Sequence, residues 1–275
     1  MLEDGGATIT GYVGEPPVDL VIPGQLGGYP VVSIAEEAFI RRHEIIGVTL
    51  PGSLVVIGDF AFENCASLSS IHMPDGIIDI GRNAFSLCRA LTSVKIPDTV
   101  VRIGDDAFTS AGLSSINIPA GVTNIGDNPF AWCKELSAIE VDPGNPVYVS
   151  VEGVLFDRHQ NMLVSFPCGQ SSQTYAVPQG TLVIGNRAFW GCYVLAEIII
   201  PEGVTSIGSN AFLSCRGLTS VRIPGSVVSI DQNFAYYGQK YALNNYPNLI
   251  LTVAEGSFAE EYAQEYEIPY VFMAE

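Results

Sequence analysis

The chain repeats itself at a nearly fixed interval, and such a period decides architecture before any local propensity does. A phenylalanine, usually preceded by alanine, recurs at Phe39, Phe62, Phe85, Phe108, Phe130, Phe189, Phe212 and Phe234, in steps of 23, 23, 23, 22, 59, 23 and 22 residues. A second marker keeps the same interval. Pro51, Pro74, Pro97, Pro119, Pro178, Pro201 and Pro224 step by 23, 23, 22, 59, 23 and 23.

Between the markers each unit reads approximately L-x-x-I-x-I-P-x-x-V-x-x-I-G-x-x-A-F-x-x-C, as in Leu91, Val94, Ile96 and Pro97 followed by Val101, Ile103 and Gly104. The alternation of Val94 with Ile96, and of Val101 with Ile103, predicts two short strands per unit. Pro97 cannot donate to a ladder and ends the first strand, and Gly104 is expected to permit a tight turn into the Ala-Phe segment. One such coil cannot cover its own apolar face. Stability must come from stacking, with strands of successive coils pairing about 4.8 Å apart in parallel sheets. The expected fold is a repeat solenoid, mainly β: a curved, right-handed stack of leucine-rich-repeat-like coils with short helical or irregular segments, capped ends and an internal column of eight phenylalanines.

The divisions follow from where the pattern starts, breaks and stops. Residues 1–34 form an N-terminal cap, with Ala7–Tyr12 and Asp19–Pro23 expected to make a capping hairpin and a first, enlarged coil. Repeats occupy 35–141. The 59-residue step holds an insertion at 142–177, where Val154, Leu155 and Phe156, then a polar Asp157–Asn161, then Met162–Phe166 predict a β-hairpin. It either bears function or stacks as a coil variant. Repeats resume over 178–235, and 236–275 is a C-terminal cap. There Ser257 and Glu260 have capping-box spacing, and Tyr262 and Tyr266 follow Phe258 on one helical face. Tyr236, Tyr237, Tyr241 and Tyr246 precede this helix. They are read as packing over the end of the stack rather than as a grip for sugars or peptides.

The recurring Ile-Gly pairs (Ile57-Gly58, Ile80-Gly81, Ile103-Gly104, Ile125-Gly126, Ile184-Gly185 and Ile207-Gly208) stand in register with the Ala-Phe and Cys positions. In this the chain resembles the bacterial BspA-like leucine-rich repeat proteins over nearly its whole length. Words such as Asn145-Pro146-Val147-Tyr148 in the insertion also occur in that family. The resemblance implies a secreted or cell-surface protein of the kind often described as an adhesin for host matrix or plasma proteins, or for other cells. It names no ligand.

Composition narrows the partners. Twelve basic against 29 acidic residues leave a formal charge of −17, so phosphate backbones and anionic membranes are repelled and nucleic acid is an unexpected partner. Pro and Gly interrupt every apolar run before it reaches the length of a membrane span, so no membrane insertion is expected. Met1–Gly6 has neither the basic start nor the apolar run of a signal peptide.

Chemistry finds little foothold. Cys65, Cys88, Cys133, Cys192 and Cys215 all lie three residues after a repeat phenylalanine, so their side chains should stack in parallel as small buried hydrophobes. Parallel vectors suit neither a converging metal site nor a disulfide, and Cys168 stands alone outside this ladder. His43, His72 and His159 lack ligand spacing and are expected at the surface. Asp59, Asp105, Asp106 and Asp127 occupy polar turn positions suited to solvation or capping. No nucleophile elbow, phosphate loop, dinucleotide fingerprint or zinc motif is present. No enzyme activity, metal or cofactor is expected.

What remains is a surface. In the L-x-x-I-x-I-P strands the alternate positions face outward, giving a column of Thr49, His72, Lys95, Asn117, Glu140, Ile199 and Arg222 beside the small Ser70, Ser93, Ser115, Ala138 and Ser220. This column is the candidate ligand-binding face for another protein. The competing expectation is a passive spacer that holds other domains away from a surface.

Overall fold

A computed structural model describes residues 5–231, 246 and 248–274. The fold is a mostly-β solenoid of about eleven turns, with one short helix among the described residues. The strands in chain order are β1 (Ala7–Ile9), β2 (Asp19–Val21), β3 (Gln25–Leu26), β4 (Tyr29–Ile34), β5 (Gly47–Thr49) and β6 (Val56–Ile57). Next come β7 (Ser70–His72), β8 (Asp79–Ile80), β9 (Arg102–Ile103), β10 (Ser115–Ile118), β11 (Asn124–Ile125) and β12 (Ala138–Val141). The insertion supplies β13 (Tyr148–Val151), β14 (Val154–Asp157) and β15 (Met162–Ser165), and the coils resume with β16 (Thr174–Ala176), β17 (Val183–Ile184) and β18 (Glu197–Ile199). Last are β19 (Ser206–Ile207), β20 (Ser220–Ile223), β21 (Ser229–Ile230), β22 (Ile250–Val253), the helix α1 (Phe258–Glu265) and β23 (Tyr270–Phe272).

The two strands of each coil enter different sheets, as the sequence pattern requires. First strands pair as β2-β5-β7, β10-β12 and β16-β18-β20-β22-β23. Second strands pair as β1-β4-β6-β8-β9-β11, and as β15-β17-β19-β21 beyond the insertion. Equivalent residues face one another in parallel register, Ile57 with Ile80 and Ile80 with Ile103. Because strand side chains alternate, this register stacks each coil's inward residues on those of the next.

The core is a set of such columns. Rings of Phe39, Phe62, Phe85, Phe108 and Phe130 stack with centroids 5.1, 5.5, 5.4 and 5.9 Å apart. The N–H groups of Phe39, Phe62, Phe85 and Phe108 also donate forward, Phe62 to the Ala84 carbonyl and Phe85 to that of Ala107. The cysteines lie beside them, fully buried, with Cys65, Cys88 and Cys215 donating from Sγ to the carbonyls of Phe39, Phe62 and Phe189 at 3.0–3.2 Å. Burial pushes the thiols of Cys65, Cys133 and Cys215 up to about 12, so they stay protonated and inert. Phe234, Tyr236, Tyr237 and Tyr241 lie outside the described residues.

The Ile-Gly glycines serve a different purpose from the one expected. Gly58, Gly81 and Gly104 are not in the left-handed region, so freedom of φ is not what they supply. A Cβ on Gly81 would lie 2.6 Å from the backbone of Gly58 and Asp59, and one on Gly104 would lie 2.6 Å from Arg82 N. Glycine is needed because the previous coil's main chain passes where the side chain would be. The turn itself is made by residues flanking the Ala-Phe pair. Phe60 and Asn64, like Asn83 and Leu87, have φ between 53° and 62°.

Three expectations need correction. The N-terminal segments form no hairpin with each other: β1 pairs with β4 and β2 with β5, both in parallel, because Ile9 and Leu20 turn into the core as a coil's residues do. Among the described residues, the N-terminal hairpin is the small β3–β4 turn. Cys168 is not alone, being disulfide-bonded to Cys192, so Cys192 leaves the free-thiol column. Asp106 is neither solvated nor a cap, since it is partly buried against Arg187 and accepts from Thr109 Oγ1. Burial pushes its carboxyl above the usual range despite the opposing pull of the guanidinium.

The insertion proves to be both a departure and a coil. β13, β14 and β15 form an antiparallel meander, with the expected polar turn between β14 and β15, and β15 then pairs in parallel with β17. Phe166 takes a repeat phenylalanine's place, donating from its N–H to the Ala188 carbonyl and lying 5.2 Å from the Phe189 ring. The path from Leu163 to Phe166 lacks the usual outward loop, so the loops on either side meet directly. Asn128 Nδ2 donates to the Arg187 carbonyl, Arg187 pairs with Asp106, and Trp132 N–H donates to the Trp190 carbonyl. At the far end Ser257 caps α1 as expected, Tyr262 stacks on Tyr266, and Tyr246 is buried with its hydroxyl on the Phe212 carbonyl.

Two outcomes follow. Gly81→Ala should lower the urea-unfolding stability by about 2 kcal/mol or more through backbone overlap, whereas Gly52→Ala, whose Cβ would meet nothing within 4 Å, should change it by less than about 0.5 kcal/mol. The native protein should react with no thiol reagent. Four thiols should react after unfolding and six after unfolding with reductant, and Cys168→Ala should lower stability by about 2–4 kcal/mol.

Candidate binding face

Inward residues on the first strands are held by the core, which fixes the outward ones by default. Val48 and Leu50 are buried on either side of exposed Thr49, and Ile116 and Ile118 on either side of exposed Asn117. Ile199 and Arg222 are flanked in the same way, whereas His72, Lys95 and Glu140 each have one buried and one half-buried apolar neighbour. Thr49 pairs with His72, Asn117 with Glu140, and Ile199 with Arg222.

The structure lengthens the column and divides it. Val21 precedes Thr49, Ala176 precedes Ile199, and Thr252 and Val271 continue beyond Arg222, all in register. Val21 and Val271 are exposed apolar ends of the face. Ala176 was legible in principle, because Tyr175-Ala176-Val177-Pro178 repeats the I-x-I-P word with its own marker proline. Lys95 is exposed, but Leu91–Ile96 keep only the burial alternation and form no strand. The second break lies between Glu140 and Ala176. There the turn at Gly153 enters beside β12, accepting from Ile139 N–H.

Beside this column runs the row expected to be small. Ser70, Ser93 and Ser115 are exposed and Ala138 and Ser220 half-buried, but Glu197 occupies the row where Ile199 lies in the column, and Thr174 Oγ1 donates to it at 3.3 Å. The face thus carries both signs of charge, with Lys95 and Arg222 against Glu140 and Glu197, over a floor of hydroxyls and small side chains. His43, His72 and His159 are all exposed. Among the described residues, no three His, Cys, Asp or Glu side chains gather as a metal site, and no helix is long and apolar enough to cross a membrane.

Comparison with known proteins adds a lineage. The sequence pattern of the BspA type leucine rich repeat region matches residues 29–145 and 165–272, in six copies. Among curated proteins, none matches the sequence significantly. Similar solved structures include a leucine rich cell surface protein from Faecalibacterium prausnitzii A2-165, at 24% identity over 99% of this chain and 92% of that one, with a TM-score of 0.58. The pneumococcal vaccine antigen PcpA aligns over 99% of this chain and 93% of its own, at 16% identity and a TM-score of 0.61. A leucine-rich repeat protein from T. pallidum aligns over 79% and 85%, at 27% identity and a TM-score of 0.54. At identities of 24% and 16% the first two speak for the fold alone.

Side chains that project from a braced ladder without packing partners can be changed without cost to the fold. His72→Ala, Lys95→Ala and Arg222→Ala should each alter the unfolding free energy by less than about 0.5 kcal/mol in urea titration, which makes them clean probes of binding.

Proposed function

The chain belongs to the BspA-type leucine-rich repeat family, and we propose that it is a non-catalytic, protein-binding module displayed outside the cell. Leucine-rich repeat proteins generally mediate protein–protein interaction. The observation that carries the reading for this chain is the first-strand face. It sets Thr49, His72, Asn117, Glu140, Ile199 and Arg222 on parallel strands, with Lys95 between them, all held from behind by the core. A face fixed in this way spends little entropy on ordering itself when a partner arrives, so its contacts go into affinity.

Two further observations support display outside the cell. The Cys168–Cys192 disulfide suits an oxidising compartment. Net charge of −17 with few lysines and arginines suits a soluble surface that ignores nucleic acid. The partner we propose is a host extracellular-matrix or plasma protein with a surface of mixed charge, met as an adhesin meets its receptor.

The test is a binding screen of the purified chain against immobilised matrix and plasma proteins at physiological salt, beside the Lys95→Ala, Arg222→Ala double variant. The reading expects saturable binding to at least one of them that the folded double variant weakens about tenfold or more. Binding that the double variant leaves intact would move the site off this face. Absence of binding throughout would favour a passive spacer.

A further inference from the structure

The turn after each repeat phenylalanine runs from Phe85 to Leu91 and from Phe130 to Leu136, but the turn between them closes one residue sooner, from Phe108 to Leu113. Ala111 stands there in the cysteine's place. A Cβ on the next residue, Gly112, would come within 2.2 Å of the Arg89 carbonyl oxygen, so the short turn is drawn tightly against the coil before it. It reaches less far from the core than its neighbours. At this turn lies a cleft of about 460 Å³ lined by Ser110, Gly112, Arg89, Trp132, Lys134 and Glu135. That volume lies within the range usual for small-ligand sites, about 300–1,000 Å³.

The walls are built rather than incidental. Trp132 is half-buried, its main-chain N–H donating to the Trp190 carbonyl. Gly191 carries no side chain because a Cβ there would lie 2.5 Å from the Trp132 ring. The indole is thus fixed from the side of the later coil while it lines the cleft between the earlier ones. Lys134 Nζ lies 5.9 Å from the Trp132 ring centroid and 5.4 Å from that of Tyr193, held between two aromatic surfaces. Neither Arg89 nor Lys134 has a carboxylate partner among the described residues. In a chain with a charge of −17 the cleft gathers two unpaired cations against one carboxylate, Glu135.

We propose that this cleft binds a carboxylated sugar residue at the end of an acidic saccharide. The Arg89 guanidinium presents a planar fork that matches a carboxylate in two hydrogen bonds, and Lys134 adds a second positive charge. The part of the Trp132 indole that lines the cleft offers an apolar surface for C–H groups of a pyranose ring. Ser110 and Glu135 supply a donor and acceptors for ring hydroxyls. Glu135 also argues against an acidic peptide, whose several carboxylates it would repel, while a sugar brings one carboxylate among hydroxyls. The ligand's two sources are a sialic-acid-ended glycan and a uronic-acid-containing polysaccharide, which share this chemistry. The cleft is distinct from the first-strand face, and the proposal does not rest on that face binding protein.

Titration calorimetry with 3′-sialyllactose, a glucuronate-ended hyaluronan tetrasaccharide, neutral lactose and a hexaglutamate peptide tests it, using the intact chain and its tryptophan fluorescence as a second readout. At least one acidic saccharide should bind about tenfold or more tightly than lactose and hexaglutamate, and which one binds identifies the source. Arg89→Gln and Lys134→Gln, at exposed positions, should each weaken that binding at least about fivefold with unchanged thermal melts. The Lys95→Ala, Arg222→Ala double variant should bind the saccharide as the parent chain does. Equal affinity for lactose, no binding to either acidic saccharide, preferred binding of hexaglutamate, or indifference to both single variants would overturn the proposal.

Discussion

Everything in this molecule depends on how closely one coil's backbone lies against the next. Gly58, Gly81 and Gly104 bring the main chains of neighbouring coils into contact where any Cβ would overlap. From that approach follow the parallel ladders, the phenylalanine stack at 5.1–5.9 Å and the cysteine thiols that reach the preceding coil's carbonyl. A coil is too small to bury its apolar residues alone, so the glycine that permits contact is also what lets the core exist. The same contact dictates which residues can face outward.

The insertion is where this arrangement is interrupted and repaired. A meander replaces the usual outward loop, yet Phe166 restores the aromatic position and Cys168 ties the new segment to Cys192 of the following coil. Because the inserted coil is short on its outer side, Asn128, Arg187, Asp106 and the two tryptophans close the gap above it. This seam holds the ladder of repeats together across a 59-residue step. The turn of the meander at Gly153 divides the first-strand face between Glu140 and Ala176.

The period of 23 makes the solenoid, its two strands per coil and its buried Phe and Cys columns legible, because each is a local consequence of an i, i+23 repeat, and the capping box at Ser257 and Glu260 makes the C-terminal helix legible. What the repeat could not convey is what happens where it lapses. Cys168 looked isolated since its partner sits in the ladder that argued against disulfides. Asp106 looked like a solvated turn residue because its partner, Arg187, lies 81 positions away. The Ile-Gly pairs suggest turn geometry in the sequence, and only the neighbouring coil's position reveals the glycines' steric role. On the face, Ala176 was missed although its proline marker, Pro178, had been counted. The break at Lys95 had no sequence signal, as Leu91, Val94 and Ile96 keep the full pattern.

Function in such a scaffold lies in what the outward positions carry, and here the first strands carry a column of mixed charge on a preorganised floor. The most direct measurement is site-specific photo-crosslinking. A photoreactive residue replaces Asn117 on the first-strand face, or Asn124 on the second-strand sheet, both exposed, and each intact chain is mixed with matrix and plasma proteins under ultraviolet light. The account predicts a defined adduct from position 117 and none from position 124. Adducts from position 124 alone, or from neither, would contradict it.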